Sequence, residues 1–188
     1  MPCGFGKDGA QRRLKRSSLL GKIKQSCIKR HYGPKLAVCI TMYNEEESEL
    51  KETLRGVMEN YVELLKDKSL QFKEEDISVV LVCDGFDRLT ESFKAFASEK
   101  QFFDERLLHN RFMQKDRKGV WRMRDIDDLV PLGHHVPSNI LHLFQVSSWD
   151  FDLGEDIPKD HRINFCFALK QRNDGKINSH KWFYQGIC

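Results

Sequence analysis

The segment "KLAVCITMYNEEESELKETLRGVM" (residues 35–58) decides the fold, because it joins two different periodicities. It opens with "LAVCIT" (36–41), a continuous apolar run typical of a strand buried on both faces. After the strand, apolar residues recur along one helical stripe: Leu50, Leu54, Val57, Met58, Tyr61, Leu64 and Leu65. The segment predicts a buried strand followed by an amphipathic helix, with Asn44 as N-cap and Glu47 as its capping-box partner.

A second buried strand, "ISVVLVC" (77–83), follows the helix. Two such strands joined by one long helix form a βαβ unit, which predicts a parallel pair with a right-handed crossover. The Asp84-Gly85 pair that ends the second strand is a known hairpin signal. Four apolar residues then recur at helical spacing: Phe86, Leu89, Phe93 and Phe96. We therefore predict a helix after this turn and not a hairpin.

The rest of the chain extends the same plan. Residues 100–138 are charged and weakly patterned, and we interpret them as an irregular insertion in which "GVWRMR" (119–124) is a poor strand. Two further strands are predicted at 140–147 and 163–170, and a helix at 176–188. The fold class is α/β: a partial Rossmann-like sheet, parallel or mixed, with flanking helices.

Charge divides the chain into an arm and a domain. Residues 1–34 hold nine of the 31 Lys and Arg residues and one acid, whereas residues 35–188 are mildly acidic. We predict that residues 1–34 are a basic, disordered arm and that residues 35–188 are the folded domain. The "QRRLKR" stretch (11–16) of the arm is compatible with a nuclear import signal or with binding to nucleic acid or an anionic membrane. A solvated tail without a partner is the preferred interpretation.

The sequence shows neither a secretory signal nor a membrane-spanning segment. The chain has no secretory signal, and no run approaches the roughly 20 apolar residues of a transmembrane helix. Its six Cys residues show no CxxC pairing, which suits a reducing, cytosolic environment. These observations are also compatible with a cytosolic segment of a membrane protein.

The candidate functional residues lie where the predicted strands end. Ligands of open α/β sheets bind beyond the carboxyl ends of the strands. This rule predicts a rim formed by residues 41–45, 84–85, 147–150 and 170–173. Acids in the first turn of a helix complement its dipole, by about 0.3–1 kcal/mol each, which explains Glu46 and Glu47 without a ligand.

Other rim residues suggest a nucleotide. An aromatic and an amide, Tyr43 and Asn44, can face a base and a ribose, and the Glu45 carboxylate can accept hydrogen bonds from sugar hydroxyls. Asp84 can accept from the imide N–H of uracil, although it is also an ordinary turn residue. Lys170 ends an apolar strand, where a cation would meet a diphosphate.

Three stretches closely resemble the catalytic domain of chitin synthases: "ITMYNE" (40–45), "CDG" (83–85) and "FALKQRNDGKINSHKWFY" (167–184). The resemblance covers about residues 35–188, is weakest through 100–138 and is most specific at "KINSHKWF". It implies a GT-A type fold and an inverting transfer from UDP-N-acetylglucosamine to a chitin oligosaccharide. It also implies a plasma-membrane enzyme, with this segment on the cytosolic face and no nucleic acid as partner.

The resemblance also implies roles for individual residues. Thr41, Tyr43, Asn44 and Glu45 would line the uridine site, Asp84 would bind uracil, and Lys170 would lie near the nucleotide. Asn178, His180 and Trp182 would support the site as scaffold. Two departures from the family pattern concern charge: Phe86 stands where a basic residue is usual, and Gln171-Arg172 replaces Glu-Lys.

In the family, the acidic metal motif, the catalytic base and the acceptor motif follow this part of the sequence. We therefore expect the divalent cation, Mg²⁺ or Mn²⁺, to be bound elsewhere in the complete enzyme, and we assign no catalytic residue and no metal ligand here. Two D-x-D triplets occur, at 125–127 and 150–152; the second follows a better strand, but family order argues against both. His134-His135 lack the spacing of a zinc site.

The sequence leaves three readings. The preferred one is the uridine-binding half of a chitin synthase-like enzyme, truncated at its carboxyl end and inactive alone. The second is a non-catalytic nucleotide-sugar-binding module or a degenerate fragment. The third is a related processive glycosyltransferase that makes another β-linked polymer, which "KINSHKWF" disfavours.

Overall fold

The central element is a mixed sheet of four strands. A computed structural model describes residues 35–146, 151–155, 157 and 164–187, and the statements below concern these residues. The strands are β1 (Leu36–Met42), β2 (Ile77–Cys83), β3 (Met113–Lys115), β4 (Trp121–Met123), β5 (Leu141–Val146) and β6 (Asn164–Lys170). The sheet order is β1-β2-β6-β5, with β5 antiparallel to β6 and the other neighbours parallel. The predicted α/β class and βαβ unit are confirmed.

Helices flank this sheet and extend its rim. The α-helices are α1 (Glu47–Lys66), α2 (Glu91–Glu99), α3 (Glu105–Leu107), α4 (Ile126–Leu129) and α5 (Lys176–Trp182). Two 3₁₀ turns occupy Glu74–Asp76 and Phe86–Arg88, and two π turns occupy Leu108–Phe112 and Phe183–Ile187. The helix predicted after Asp84-Gly85 thus begins as a single 3₁₀ turn, and α2 starts at Glu91, where the Thr90 side chain accepts from Phe93 N.

The carboxyl ends of the three parallel strands form one rim. Met42 at the end of β1 pairs with Cys83 at the end of β2, and Cys83 pairs with Leu169 near the end of β6. The residues that follow these strands therefore come together, as the topology of open α/β sheets requires.

β5 runs opposite to the direction that the rim prediction assumed for it. Leu141 pairs with Lys170 and Val146 pairs with Phe165. β5 therefore begins at the rim and ends at the opposite end of the sheet, where the parallel strands begin. The prediction that residues 147–150 lie on the rim assumed a parallel strand, which β5 is not; those four residues lie outside the described part of the chain, so their place stays a prediction. An apolar run predicts a strand but not its direction.

The core lies between the sheet and the helices α1 and α2. The predicted stripe of α1 faces it, with Leu50, Leu54, Met58 and Tyr61 buried. Below α2, aromatic rings from the helix, the loop after it and β6 pack together; Phe93, Phe102 and Phe167 are all fully buried. Burying such rings stabilises the fold by roughly 1.5–3 kcal/mol each. This packing holds the rim in place.

The start of α1 differs from its prediction. The N-cap is Glu46, and its backbone N–H donates to the carboxylate of Glu49 at 2.8 Å. The predicted Asn44–Glu47 capping box was wrong, because residues 43–45 close a turn of their own before the helix begins. Glu47 instead pairs with Lys51, at 2.8 Å.

The 100–138 insertion carries short elements that the sequence pattern did not predict. β3 and β4 form an antiparallel hairpin in which Met113 pairs with Met123. The Asp116 carboxylate closes it by accepting from the backbone N–H groups of Lys118 and Val120. "GVWRMR" was therefore wrongly judged a poor strand: an exposed edge strand accepts charged side chains on its solvent side.

Two predictions concern residues that the structure describes only in part or not at all. The basic arm, residues 1–34, lies outside the described part of the chain, so its disorder stays a prediction. Within the described residues, no helix has the length and apolar character needed to cross a bilayer.

Candidate functional site

A pocket of about 350 Å³ opens at the rim. Its lining comes from the ends of β1 and β2 and from the loop and helix after β6: Thr41, Met42, Tyr43, Glu45, Asp84, Asn173, Gly175, Lys176 and Ser179. Four of the six predicted substrate-binding residues are therefore together: Thr41, Tyr43, Glu45 and Asp84. Asn44 belongs to the same turn but is not among the lining residues, and neither is Lys170.

The two carboxylate oxygens of Asp84 differ in their contacts: Oδ1 is bound by the protein and Oδ2 faces the pocket. Its Oδ1 lies 2.7 Å from Lys170 Nζ and accepts from the backbone N–H of Asp174 at 3.0 Å. No donor among the described residues contacts its Oδ2, and the residue lines the pocket. The arrangement leaves a single carboxylate oxygen as an acceptor for a ligand.

Lys170 lies beneath the pocket and not in it. The side chain is 0 % exposed. Besides Asp84, its ammonium group donates to Ser179 Oγ at 3.3 Å and to the Gly175 carbonyl at 3.5 Å. Three acceptors match the three donors of an ammonium group, so this geometry gives Lys170 no donor for a diphosphate.

Lys176 supplies the exposed cation of the pocket. It is the first residue of α5, directly after Gly175, and it lines the opening. The sequence carried a signal for it, because it lies three residues beyond the 170–173 segment of the predicted rim, at the start of the predicted helix. A scaffold role was predicted for Asn178, His180 and Trp182 in the same helix, but no role was predicted for Lys176.

The two carboxylate oxygens of Glu45 also differ in their contacts, as those of Asp84 do. Its Oε2 accepts from the backbone N–H groups of Tyr43, at 2.5 Å, and Asn44, at 3.1 Å. Thr90 Oγ1 donates to the Glu45 carbonyl at 3.1 Å and fixes the turn against the start of α2. One carboxylate oxygen thus shapes the turn, and the other is left for the pocket that Glu45 lines.

Asn139 shapes the loop after β6, and sequence reasoning missed it. Its Nδ2 donates to the Arg172 carbonyl at 2.9 Å and to the Asp174 carboxylate at 2.5 Å. Its Oδ1 accepts from Arg172 N and Ile140 N. Asn139 is buried just before β5, and it reaches the rim only because β5 is antiparallel.

A family model described as a chitin synthase-like glycosyltransferase domain matches residues 36–121 and 134–188. These ranges contain every lining residue of the pocket. The chain belongs to this family. The break in the match, after Trp121, falls within the 100–138 insertion.

Named chitin synthases resemble this chitin synthase-like domain. Chitin synthase 2 of Candida albicans is 30% identical over 156 residues, which is 81% of this chain and 14% of that protein. Chitin synthase 1 of Saccharomyces cerevisiae is 25% identical over 157 residues, 81% of this chain and 13% of that protein. Chitin synthase 3 of Verticillium dahliae is 22% identical over 169 residues, 88% and 17% respectively. The chain spans less than a fifth of each relative.

Gln171 fastens the insertion of this chitin synthase-like domain to the rim. Its Oε1 lies 2.5 Å from His142 Nε2, and its Nε2 donates to the carbonyls of Phe112, at 3.2 Å, and Arg124, at 2.7 Å. Burial lowers the pKa of His142, and the hydrogen bond to Gln171 partly opposes that shift. Since an amide can donate to two carbonyls and a carboxylate cannot, the Gln that departs from the usual Glu suits this contact.

We predict that Gln171→Glu loosens the insertion. The carboxylate would face two carbonyl oxygens, and a buried polar group without its partner costs about 1–3 kcal/mol. Trypsin should therefore cut at Arg111, Lys115 or Lys118 roughly 5- to 150-fold faster than in the wild type. Gln145→Glu, on an exposed position of β5, is the matched control and should not change the rate. Equal cleavage of the two variants would contradict this role of Gln171.

No metal cluster is present within the described residues: no three His, Cys, Asp or Glu side chains come together. In the first D-x-D triplet, Asp125 lies 3.7 Å from Arg172. In the second, Asp152 lies 3.4 Å from Lys51, and Asp150 is outside the described part of the chain. The absence of a metal site, which we predicted, stays a prediction for the chain as a whole.

Proposed function

We propose that this chain is the uridine-binding part of a chitin synthase-like enzyme. The complete enzyme would transfer N-acetylglucosamine from UDP-N-acetylglucosamine to a growing chitin oligosaccharide. The observation that carries the proposal is the single open oxygen of Asp84, held at the floor of a rim pocket in a domain of this family. The names of the relatives support chitin as the product.

The proposed pose follows from the chemistry of the lining groups. Uracil presents an N3–H donor, for which Asp84 Oδ2 is the acceptor, and Tyr43 offers a half-open ring on which the base can stack. The free Glu45 oxygen accepts from ribose hydroxyls, and Thr41 completes the wall beside it. Asn44 fixes the turn through its backbone N–H. Lys176, and not Lys170, meets the diphosphate.

The proposed chemistry is a single inverting displacement. A carboxylate base would remove the proton of the acceptor hydroxyl, which would attack the anomeric carbon as UDP leaves. The described residues assigned to the pocket would bind and orient the donor. Their role is to keep the sugar–phosphate bond at a fixed place relative to the acceptor.

The carboxylates of the pocket do not suit a divalent cation. Asp84 Oδ1 is beside an ammonium group, and Glu45 Oε2 is used by two backbone N–H groups. A cation bound there would meet the positive end of each contact. We therefore propose that the Mg²⁺ or Mn²⁺ of the complete enzyme is bound by groups other than those described. We further propose that the complete enzyme resides in the plasma membrane, with this segment on the cytosolic face.

Glu45→Gln tests the ribose contact. Glutamine keeps one oxygen for the N–H groups of Tyr43 and Asn44, but it turns an NH₂ group toward the ribose. Losing a hydrogen bond to a charged acceptor costs about 1.5–3 kcal/mol, so UDP-N-acetylglucosamine should bind at least about tenfold more weakly by calorimetry. Glu46→Gln, at the N-cap next to it, should bind like the wild type. If both variants bind like the wild type, the ribose assignment is wrong.

A direct titration tests the proposal as a whole. The purified 188-residue chain should bind UDP-N-acetylglucosamine in the high micromolar to millimolar range, because a pocket of about 350 Å³ encloses only part of a molecule of that size. GDP-mannose, which carries another base, should bind at least about tenfold more weakly. Equal affinity for the two donors, or no binding of the uridine donor, would overturn the proposed function.

A further inference from the structure

Two donors converge on one oxygen of Asp84. The Lys170 ammonium group and the Asp174 backbone N–H both point at Oδ1, at 2.7 and 3.0 Å. A carboxylate is symmetric, and without these contacts either oxygen could face the pocket. With them, Oδ1 is committed to the protein and Oδ2 to the ligand.

We infer that Lys170, Ser179 and the Asp174 N–H form a positioning group that sets the base specificity of the pocket, by fixing a lone hydrogen-bond acceptor in front of the base. This inference rests on the proposed function. It concerns residues that, apart from Ser179, do not line the pocket, and it gives Lys170 a role other than binding a diphosphate.

Both donors of this positioning group are themselves anchored. Ser179 Oγ and the Gly175 carbonyl accept from the Lys170 ammonium group and hold it under Asp84. The Asp174 carboxylate accepts from Asn139 Nδ2, which also holds the Arg172 carbonyl, so the N–H of Asp174 cannot turn away. The Asp84 N–H donates to the Met42 carbonyl at 2.9 Å and fixes the backbone. The carboxylate therefore has little freedom to rotate.

The arrangement makes a specific prediction for an isosteric variant. In Asp84→Asn the amide oxygen must take the Oδ1 position, because the Asp174 N–H can only donate. The amide NH₂ then faces the pocket and presents a donor where the wild type presents an acceptor. Uracil offers a donor at N3 and is repelled, whereas cytosine offers an acceptor at N3 and is bound.

The test compares UDP and CDP by calorimetry on the full 188-residue chain. The wild type should prefer UDP, and Asp84→Asn should weaken UDP binding about 100-fold and bind CDP more tightly than UDP. Asp84→Asn/Lys170→Met removes one of the two donors, so the amide can rotate and the preference for CDP should shrink at least about threefold. Asp84→Asn/Lys66→Met changes an exposed lysine instead and should keep the switched preference.

The outcomes separate the two proposals. A wild type that does not prefer UDP over CDP and GDP overturns the proposed function. A wild type that prefers UDP, with an Asp84→Asn variant that does not favour CDP, overturns the positioning role alone. If Asp84→Asn does not fold, Ser179→Ala serves in its place: it removes an anchor of Lys170 and should reduce the UDP over CDP preference several-fold, and an unchanged preference overturns the inference.

Discussion

Replacing Asp84 with alanine is expected to abolish the preference of the chain for uridine diphosphate over guanosine diphosphate. The variant loses the one acceptor that the pocket presents to the N3–H of uracil. A hydrogen bond to a charged group contributes about 1.5–3 kcal/mol, so UDP affinity should fall about 10- to 150-fold while GDP affinity changes little. Calorimetric titration of both nucleotides measures the effect.

A second variant separates recognition from folding. Asp84→Ala leaves the Lys170 ammonium group buried without its counter-charge, which costs about 3–5 kcal/mol of stability. Asp84→Ala/Lys170→Met removes both charges and keeps an unbranched side chain in the same space. This double variant should fold better than the single one and should still lack the preference for UDP. A double variant that retains it would show that Asp84 does not read the base.

Gly85→Ala is expected to damage both the rim and the pocket. Gly85 has φ +93°, in the region that favours glycine, and a Cβ there would lie 3.2 Å from the backbone nitrogen of Asn173. The strained φ alone costs about 1–3 kcal/mol. Because the close neighbour is backbone, the loop after β6 must also move away from Asp84. We expect lower thermal stability and at least about tenfold weaker UDP binding.

Gly119→Ala is the matched control for this substitution. Gly119 also has a positive φ, +80°, but nothing lies within 4 Å of the Cβ position. This variant should show only the cost of the backbone conformation, in the β3–β4 hairpin, and should bind UDP like the wild type. Equal loss of UDP binding in both variants would mean that the contact of Gly85 with the loop after β6 is unimportant.

The four strands of the main sheet and α1 were predictable, because each has a clear apolar pattern and a clear end. The bounds of β2 came out as predicted, and the apolar stripe of α1 faces the core. The direction of β5 was not predictable, since a short apolar run is equally compatible with either direction. That direction depends on contacts between elements that are distant in sequence, which the pattern within one strand does not report.

The position of the rim pocket was predictable, but the contacts that each of its residues makes were not. The rim rule brought Tyr43, Glu45 and Asp84 together because it depends only on where parallel strands end. The rule does not predict that the Lys170 side chain lies under the pocket, since a lysine at the end of a strand can extend into solvent or be buried against a carboxylate. The role of Asn139 was not predictable, because its position at the rim follows from the antiparallel direction of β5, which the sequence pattern does not give.

The central claim is that the rim pocket reads uracil through Asp84 Oδ2. A crystal structure of this chain soaked with UDP tests it most directly. The account predicts the uracil N3 at about 2.8–3.0 Å from Asp84 Oδ2, with Oδ1 still on Lys170 and Asp174 and the diphosphate beside Lys176. A uracil ring bound away from Asp84, or one with its N3 turned to solvent, would contradict the account.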